Sequence, residues 1–175
     1  NLGFVGRTSN MSINFDKFNS VITLFHHQTN ELSNNPYLWR KIDGKYSPIT
    51  WKSVKEQVDA IAQGLINLGI LKGDRVVILS ENRPEWQIAD LAIMSIGAIT
   101  VPAYTTSTTS DYEHIINHSE SRCIIISSDE LTLKAIPAIL KSSKCKNVIK
   151  INDDKKAYNE PINFVNWNSL IKENI

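Results

Sequence analysis

Residues 73–104 constrain the fold of this chain more than any other stretch. Gly73-Asp74-Arg75 turns into a short apolar run, Val76-Val77-Ile78-Leu79. Glu81-Asn82-Arg83-Pro84-Glu85-Trp86 follows, then an apolar segment of helical spacing to Ile96, a stop at Gly97, and Ala98-Ile99-Thr100-Val101-Pro102-Ala103-Tyr104. Strand, tight turn, buried helix, glycine and second strand are the parts of a right-handed βαβ crossover, which belongs to a parallel sheet.

Upstream, Phe18, Val21, Ile22, Leu24 and Phe25 recur at roughly helical spacing and predict a short amphipathic helix within residues 15–32, ended by Asn34-Asn35-Pro36. Residues 37–42 and 46–49 flank Asp43-Gly44, a pair suited to the positive φ of a primed hairpin turn, with Pro48 keeping the second arm at an edge or an end. Thr50 is the expected cap of a helix whose apolar face is Val54, Val58, Ile61, Ala62, Leu65 and Ile66, stopping at Gly69. Gly64 within it costs ~1 kcal/mol relative to alanine, which suggests close packing against another backbone.

Downstream the pattern repeats. Ser110 and Glu113 read as a capping box ahead of Tyr112, Ile115 and Ile116, opening a helix to about Ser119. Residues 122–127, centred on Ile124-Ile125-Ile126, form an apolar run expected of a strand covered on both faces. Asp129 is the expected cap of a helix to about Ser142, in which Pro137 marks a kink or the real first turn. Residues 147–151 read as a fourth strand, residues 152–161 as a polar surface loop, and residues 164–174 as a capped terminal helix.

The expected fold class is therefore α/β: a parallel sheet with βαβ crossovers, preceded by a short helix and a small antiparallel hairpin. Residues 1–10 lack periodicity, precede Met11-Ser12 and read as an upstream or expression-derived extension. The rest divides into helix and hairpin (11–50), α/β core (51–151), and loop with terminal helix (152–175).

A chain of 175 residues suits one domain or a piece of a larger one. Its net charge of +1 provides no broad basic field for nucleic acid and no acidic tail. Cys123 and Cys145 make neither a disulfide framework nor a spaced metal site, which favours a reduced, cytoplasmic setting. No apolar run approaches the ~20 residues that span a bilayer, and no signal peptide opens the chain. The expectation is a soluble protein, with peripheral attachment at the inner membrane face left open.

Candidate sites are sparse. The run Thr105-Thr106-Ser107-Thr108-Thr109-Ser110 follows a strand and precedes a helix, but it lacks the glycines and lysine of a phosphate cradle. A loop with a hydroxyl cap is the plainer account, although its place at the carboxyl end of a parallel strand suits a pocket wall. His114 and His118 have zinc-binding spacing, yet Ile115 stands where the zinc-protease motif requires glutamate, so a solvated helix face is favoured. Lys141, Lys144, Lys146 and Lys150 around Cys145 suit either a lowered thiol pKa or, as favoured here, a complement to a helix C-terminus. Trp39, Trp51, Trp86 and Trp167 default to core packing. Asp74, Glu81, Glu85 and Asp90 make no acid/base pair, Glu85 being a natural capping-box partner for Asn82.

Taken in order, Thr50-Trp51, Gly69-Ile70, Lys72-Gly73-Asp74-Arg75-Val76, Glu81-Asn82, Glu85-Trp86, Asp90-Leu91-Ala92, Gly97-Ala98, Val101-Pro102 and Tyr104 resemble the N-terminal region of the acyl-adenylate-forming (AMP-binding) enzymes. Among these, the Glu-Trp pair and the Tyr104-Thr105-Thr106-Ser107 loop are most similar to long-chain fatty acyl-CoA synthetases. The resemblance runs from about Val21 to the end of the chain and implies a partial, N-terminal subdomain of the adenylate-forming fold. It implies a ligase that uses ATP and Mg2+ to activate a fatty acid as an acyl-adenylate, then passes the acyl group to coenzyme A. The family's Ser/Thr/Gly-rich loop ending in lysine, its Tyr-Gly-x-Thr-Glu segment, its ribose-binding aspartate and its C-terminal lysine have no counterpart here, and the chain is expected to stop shortly before that loop.

No catalytic, cofactor-binding or metal residue is therefore assigned, and the segment alone is expected to be inactive and to bind no cofactor. Expected partners of the parent are fatty acid, ATP and CoA, with a homodimer and peripheral membrane association left open and no nucleic acid. The alternatives are an adenylation domain for another carboxylic acid and a self-standing flavodoxin-like binding domain.

Overall fold

The computed structural model describes residues 15–152, 158 and 160–175. The expected extension at residues 1–10, with Met11-Ser12, and most of the expected loop at 152–161 lie outside them. A 3-10 turn at Phe15–Lys17 precedes the first helix, α1 (Val21–Leu32), which is shorter than the periodicity predicts. Ser20 sets the start: its extended backbone (φ −160°) breaks the helix, and its hydroxyl accepts from the Thr23 amide at 3.2 Å in a capping box.

Strands β1 (Pro36–Ile42) and β2 (Lys45–Thr50) form the expected hairpin. Asp43 (φ 49°) and Gly44 (φ 79°) supply the two left-handed residues of a primed turn. Tyr37 at its base stacks on Trp51 with ring centroids 3.8 Å apart, fastening the hairpin to α2 (Trp51–Asn67). Val54, Val58, Ile61 and Leu65 bury the face of α2, but Ile66 is 48% exposed. One residue on from Leu65 is a turn of about 100° on a helix, enough to carry Ile66 off the buried arc. Close packing at Gly64 is against a side chain rather than a backbone: a Cβ there would lie 2.9 Å from Leu170 Cδ2.

Strands β3 (Arg75–Leu79), β4 (Ile99–Ala103), β5 (Cys123–Ile126), β6 (Asn147–Lys150) and β7 (Asn163–Asn166) make one parallel sheet in the order β4-β3-β5-β6-β7. The fifth strand corrects the sequence reading, which assigned residues 164–166 to the terminal helix. With asparagine at both ends and only Phe164-Val165 between, β7 carries almost no strand pattern of its own and forms by pairing with β6. The helices between strands are α3 (Pro84–Ser95), α4 (Thr109–Ser119) and α5 (Asp129–Lys141), and α6 (Trp167–Asn174) closes the chain.

Both sheet faces are covered, which explains the unbroken apolar strands. Val76, Ile78, Cys123, Ile125 and Ile149 pack with α2, α3 and α6, whereas Val77, Leu79, Ile124, Ile126 and Val148 pack with α4 and α5. Two expected caps are displaced. The capping box of α4 is Thr108 with Asp111, because Ser110 already lies inside the helix and Glu113 instead reaches Lys141 at 2.7 Å. Ser128, not Asp129, caps α5, its hydroxyl accepting from the Leu131 amide at 3.3 Å. Pro137 does not mark a first turn, since α5 begins two turns earlier and continues past it; the carbonyl it leaves without an amide belongs to exposed Leu133.

Candidate functional site

The loops leaving β3 and β4 enclose a cleft of about 500 Å³ at the carboxyl end of the sheet. Open α/β sheets bind ligands outside this end of their strands. Trp86 and Gln87 of α3 form one wall, Pro102 to Thr105 the other, and Ser80-Glu81-Asn82 the rear. Tyr104 stands at the mouth, 81% exposed. Two ring systems, a proline and a few hydroxyl and amide groups make a lining suited to an apolar or amphipathic molecule.

The loop that carries Tyr104 is held from below. The buried Tyr112 hydroxyl donates to the carbonyls of Tyr104 (3.0 Å) and Thr105 (3.2 Å). Burial, and secondarily the neighbouring Asp111 charge, push the Tyr112 phenol pKa up, so it stays protonated and keeps donating. Backbone and side-chain bonds from Thr108 hold the Asp111 carboxyl below its ordinary range. Thr109 Oγ1 donates to the Lys134 carbonyl at 3.0 Å, tying the far end of the loop to α5. The hydroxyls of Thr105, Thr106 and Ser107 make no side-chain hydrogen bond among the described residues. The loop thus presents hydroxyls on a pinned backbone and contains neither glycine nor lysine.

Behind the cleft lies a polar network absent from the sequence reading. The expected Asn82–Glu85 capping box does not form. Arg83 is the N-cap of α3 and makes no side-chain cap bond; Pro84 occupies the first helical turn, where its missing N–H costs nothing. The buried Glu85 carboxylate instead pairs with Arg83 Nε at 2.8 Å and with Arg40 Nη2 of the hairpin. Arg83 Nη1 also donates to Asn152 Oδ1 at 2.8 Å, past the end of β6. One carboxylate at a helix N-terminus, where the dipole favours negative charge, thus joins hairpin, helix and sheet. The Arg83-Pro84 pair was the available signal, since proline at the first helical position makes its predecessor the cap.

The other singled-out residues lie elsewhere. His114 and His118 stack 5.4 Å apart on α4, and no group of three or more His, Cys, Asp or Glu suited to a metal occurs among the described residues. Cys145 is buried, and burial raises its thiol pKa to about 12 against a smaller opposing effect of Lys146, so the lowered-pKa alternative is overturned. The lysines near it are engaged with Glu113, Glu120, the Ser142 carbonyl and Asp129. Trp167 is a core residue, and Trp51 and Trp86 pack partly buried against the core, but Trp39 is exposed, contrary to the core expectation.

Residues 25–170 match the profile of the AMP-binding enzyme family. The chain belongs to that family. Within it, the chain is 38% identical over 111 residues to the long-chain-fatty-acid–CoA ligase FadD15 of Mycobacterium tuberculosis, a match covering 63% of this chain and 18% of that protein. Long chain acyl-CoA synthetase 2 of Arabidopsis thaliana is 30% identical over 158 residues, 83% of this chain and 24% of the relative. The fold is that of the anthranilate CoA ligase AuaEII in complex with anthranoyl-AMP (TM-score 0.76, 18% identity, 87% of this chain and 28% of that one). Coronafacic acid ligase from Pectobacterium brasiliense is also similar (TM-score 0.75, 23% identity, 86% and 29%). The chain therefore spans less than a third of each of these four proteins. The parallel sheet and hairpin correspond to part of the adenylate-forming fold, as the motif order implies.

Proposed function

We propose that residues 11–175 are the N-terminal part of the AMP-binding domain of an ATP-dependent long-chain fatty acid–CoA ligase. The parent would join a fatty carboxylate to AMP with release of pyrophosphate, then transfer the acyl group to the thiol of coenzyme A. The observation that carries this reading is the 38% identity to a long-chain ligase, within a profile match over residues 25–170. The contribution of this segment is scaffold: none of its residues is assigned to catalysis, to ATP or Mg2+, and the cleft at Tyr104 is the part placed to touch substrate or CoA. The segment alone is inactive. A cytoplasmic enzyme, peripheral at the inner membrane face and able to form a homodimer, completes the proposal.

The test is acyl-dependent ATP–pyrophosphate exchange by the full-length protein with fatty, aryl and amino acids in parallel. Exchange is expected with long-chain fatty acids and not with the other two. A second reading is activation of another carboxylic acid, since the match to the AMP-binding family over residues 25–170 does not itself specify the acid. Exchange confined to aryl or amino acids would establish that reading and end the first.

A further inference from the structure

One wall of the cleft is held by a residue outside it. Residues 104–107 form a turn closed by the Ser107 amide, which donates to the Tyr104 carbonyl at 3.1 Å. The same carbonyl accepts from the Tyr112 hydroxyl at 3.0 Å, and the Thr105 carbonyl accepts from that hydroxyl at 3.2 Å. Tyr112 does not line the cleft. Its ring is 1% exposed and packs in the core layer with Leu79, Ala103 and Ile116, and Lys134 Nζ lies 5.6 Å from its centroid. The exposed Tyr104 ring is placed by its backbone rather than by packing, and Tyr112 holds that backbone. Glu81 is the single charged residue of the lining. An acid without a lining cation disfavours phosphate and carboxylate groups. The fitting occupant is an uncharged chain, its methylenes against Trp86, Pro102 and Tyr104.

We propose that Tyr112 is a positioning residue for this cleft: by holding the Tyr104 and Thr105 carbonyls, it keeps the Tyr104 ring where it packs on the uncharged chain of a substrate. The proposal rests on the reading that the cleft touches substrate or CoA. Two sources share the chemistry, the hydrocarbon of a fatty acid and the amide-linked arm of CoA. A wall already in place costs nothing to order, whereas a wall that is in place only part of the time weakens binding by that fraction. Removing the Tyr112 hydroxyl strands neither carbonyl, because Tyr104 is exposed and Thr105 half-buried, within reach of water. The Ser107–Tyr104 bond remains, so the turn persists while its orientation is no longer fixed. No residue of the cleft is assigned to catalysis, so the effect belongs on KM rather than kcat.

Kinetics of the full-length protein carrying Tyr112→Phe test it. One KM is expected to rise about three- to tenfold with kcat unchanged. The affected KM is that of the acid in ATP–pyrophosphate exchange if the chain is the acyl group, and that of CoA in thioester formation if it is the CoA arm. The rise should vanish in a Tyr104→Ala background, because Tyr112 acts through that ring. Ser128→Ala, which removes the α5 cap and leaves the turn alone, should change neither KM. Amide hydrogen exchange should quicken at residues 105–108 in Tyr112→Phe and stay unchanged in β4. Unchanged KM for both substrates, unchanged exchange at 105–108, or an equal rise in the Tyr104→Ala background or in Ser128→Ala overturns the proposal. A wild-type protein that exchanges pyrophosphate with no acid would overturn the functional reading and the proposal with it, a result distinct from an active enzyme insensitive to Tyr112.

Discussion

Glu85 shows how much one carboxylate can organise. It stands in the first turn of a mostly apolar helix, buried, with guanidinium groups from the hairpin and from the helix's own N-cap converging on it. Replacing it by glutamine would leave Arg40 and Arg83 facing each other without a counter-charge. The penalty for breaking a fully buried pair, ~3–5 kcal/mol, is reduced here because both arginines remain partly solvated. Glu85→Gln is therefore expected to cost about 1–3 kcal/mol in urea unfolding, and Arg40→Ala less. An unchanged midpoint for Glu85→Gln would mean that the network contributes nothing to stability. The cysteines yield a second expectation. Burial raises both thiol pKa values, that of Cys145 to about 12, so between about pH 9 and 12 the folded state keeps the Cys145 proton that the unfolded state loses. Stability should fall across that window by about 1.4 kcal/mol per pH unit through Cys145, with Cys123 acting in the same direction. At neutral pH, a thiol reagent should label Cys123 and Cys145 only after denaturant is added.

Element boundaries were legible where one signal dominated and misread where two competed. Asp43-Gly44 has one economical conformation, and the hairpin followed from it. Around α4, Thr108, Thr109 and Ser110 are all acceptable caps, and each has an acidic residue or tyrosine three positions on; only the loop pinned by Tyr112 decides among them. Thr108→Ala should therefore destabilise by about 1 kcal/mol, whereas Ser110→Ala should be close to neutral. The cap should also weaken in acid, because a lowered carboxyl pKa contributes stability above the ordinary carboxylate range and loses it as pH falls through the folded value. Gly64 argues similarly for the α2–α6 contact. Alanine there gains ~1 kcal/mol of helix propensity and displaces only the mobile end of Leu170, so it should be near neutral, whereas Gly64→Val should cost about 1–3 kcal/mol through overpacking. Equal effects of the two substitutions would show that Leu170 is not the limiting neighbour.

At the scale of the whole molecule, the parallel sheet and its two helical layers were readable because four strands are nearly all-apolar runs separated by helical periods. The fifth strand and the Arg40–Glu85–Arg83–Asn152 network were not, because both are created by distant segments meeting: β7 by the edge of β6, the network by hairpin, helix and sheet. The cleft was partly legible, since residues 80–87 and 102–105 flank one crossover, yet its enclosure depends on Tyr112 holding the second loop. The least legible part, residues 163–175, makes a strong claim on stability. α6 turns back from β7 and buries Trp167 and Leu170 against the layer that includes α2, so strand and helix cover one sheet edge and one helix face together. Two large side chains at ~1.5–3 kcal/mol each, with the edge pairing, amount to a large part of the ~5–15 kcal/mol available to a domain. Deleting residues 163–175 should therefore replace cooperative unfolding by a broad transition and introduce binding of a hydrophobic dye, and Trp167→Ala alone should cost about 3–5 kcal/mol. A deletion that kept a sharp transition and bound no dye would make this segment an appendage, with the core complete at β6.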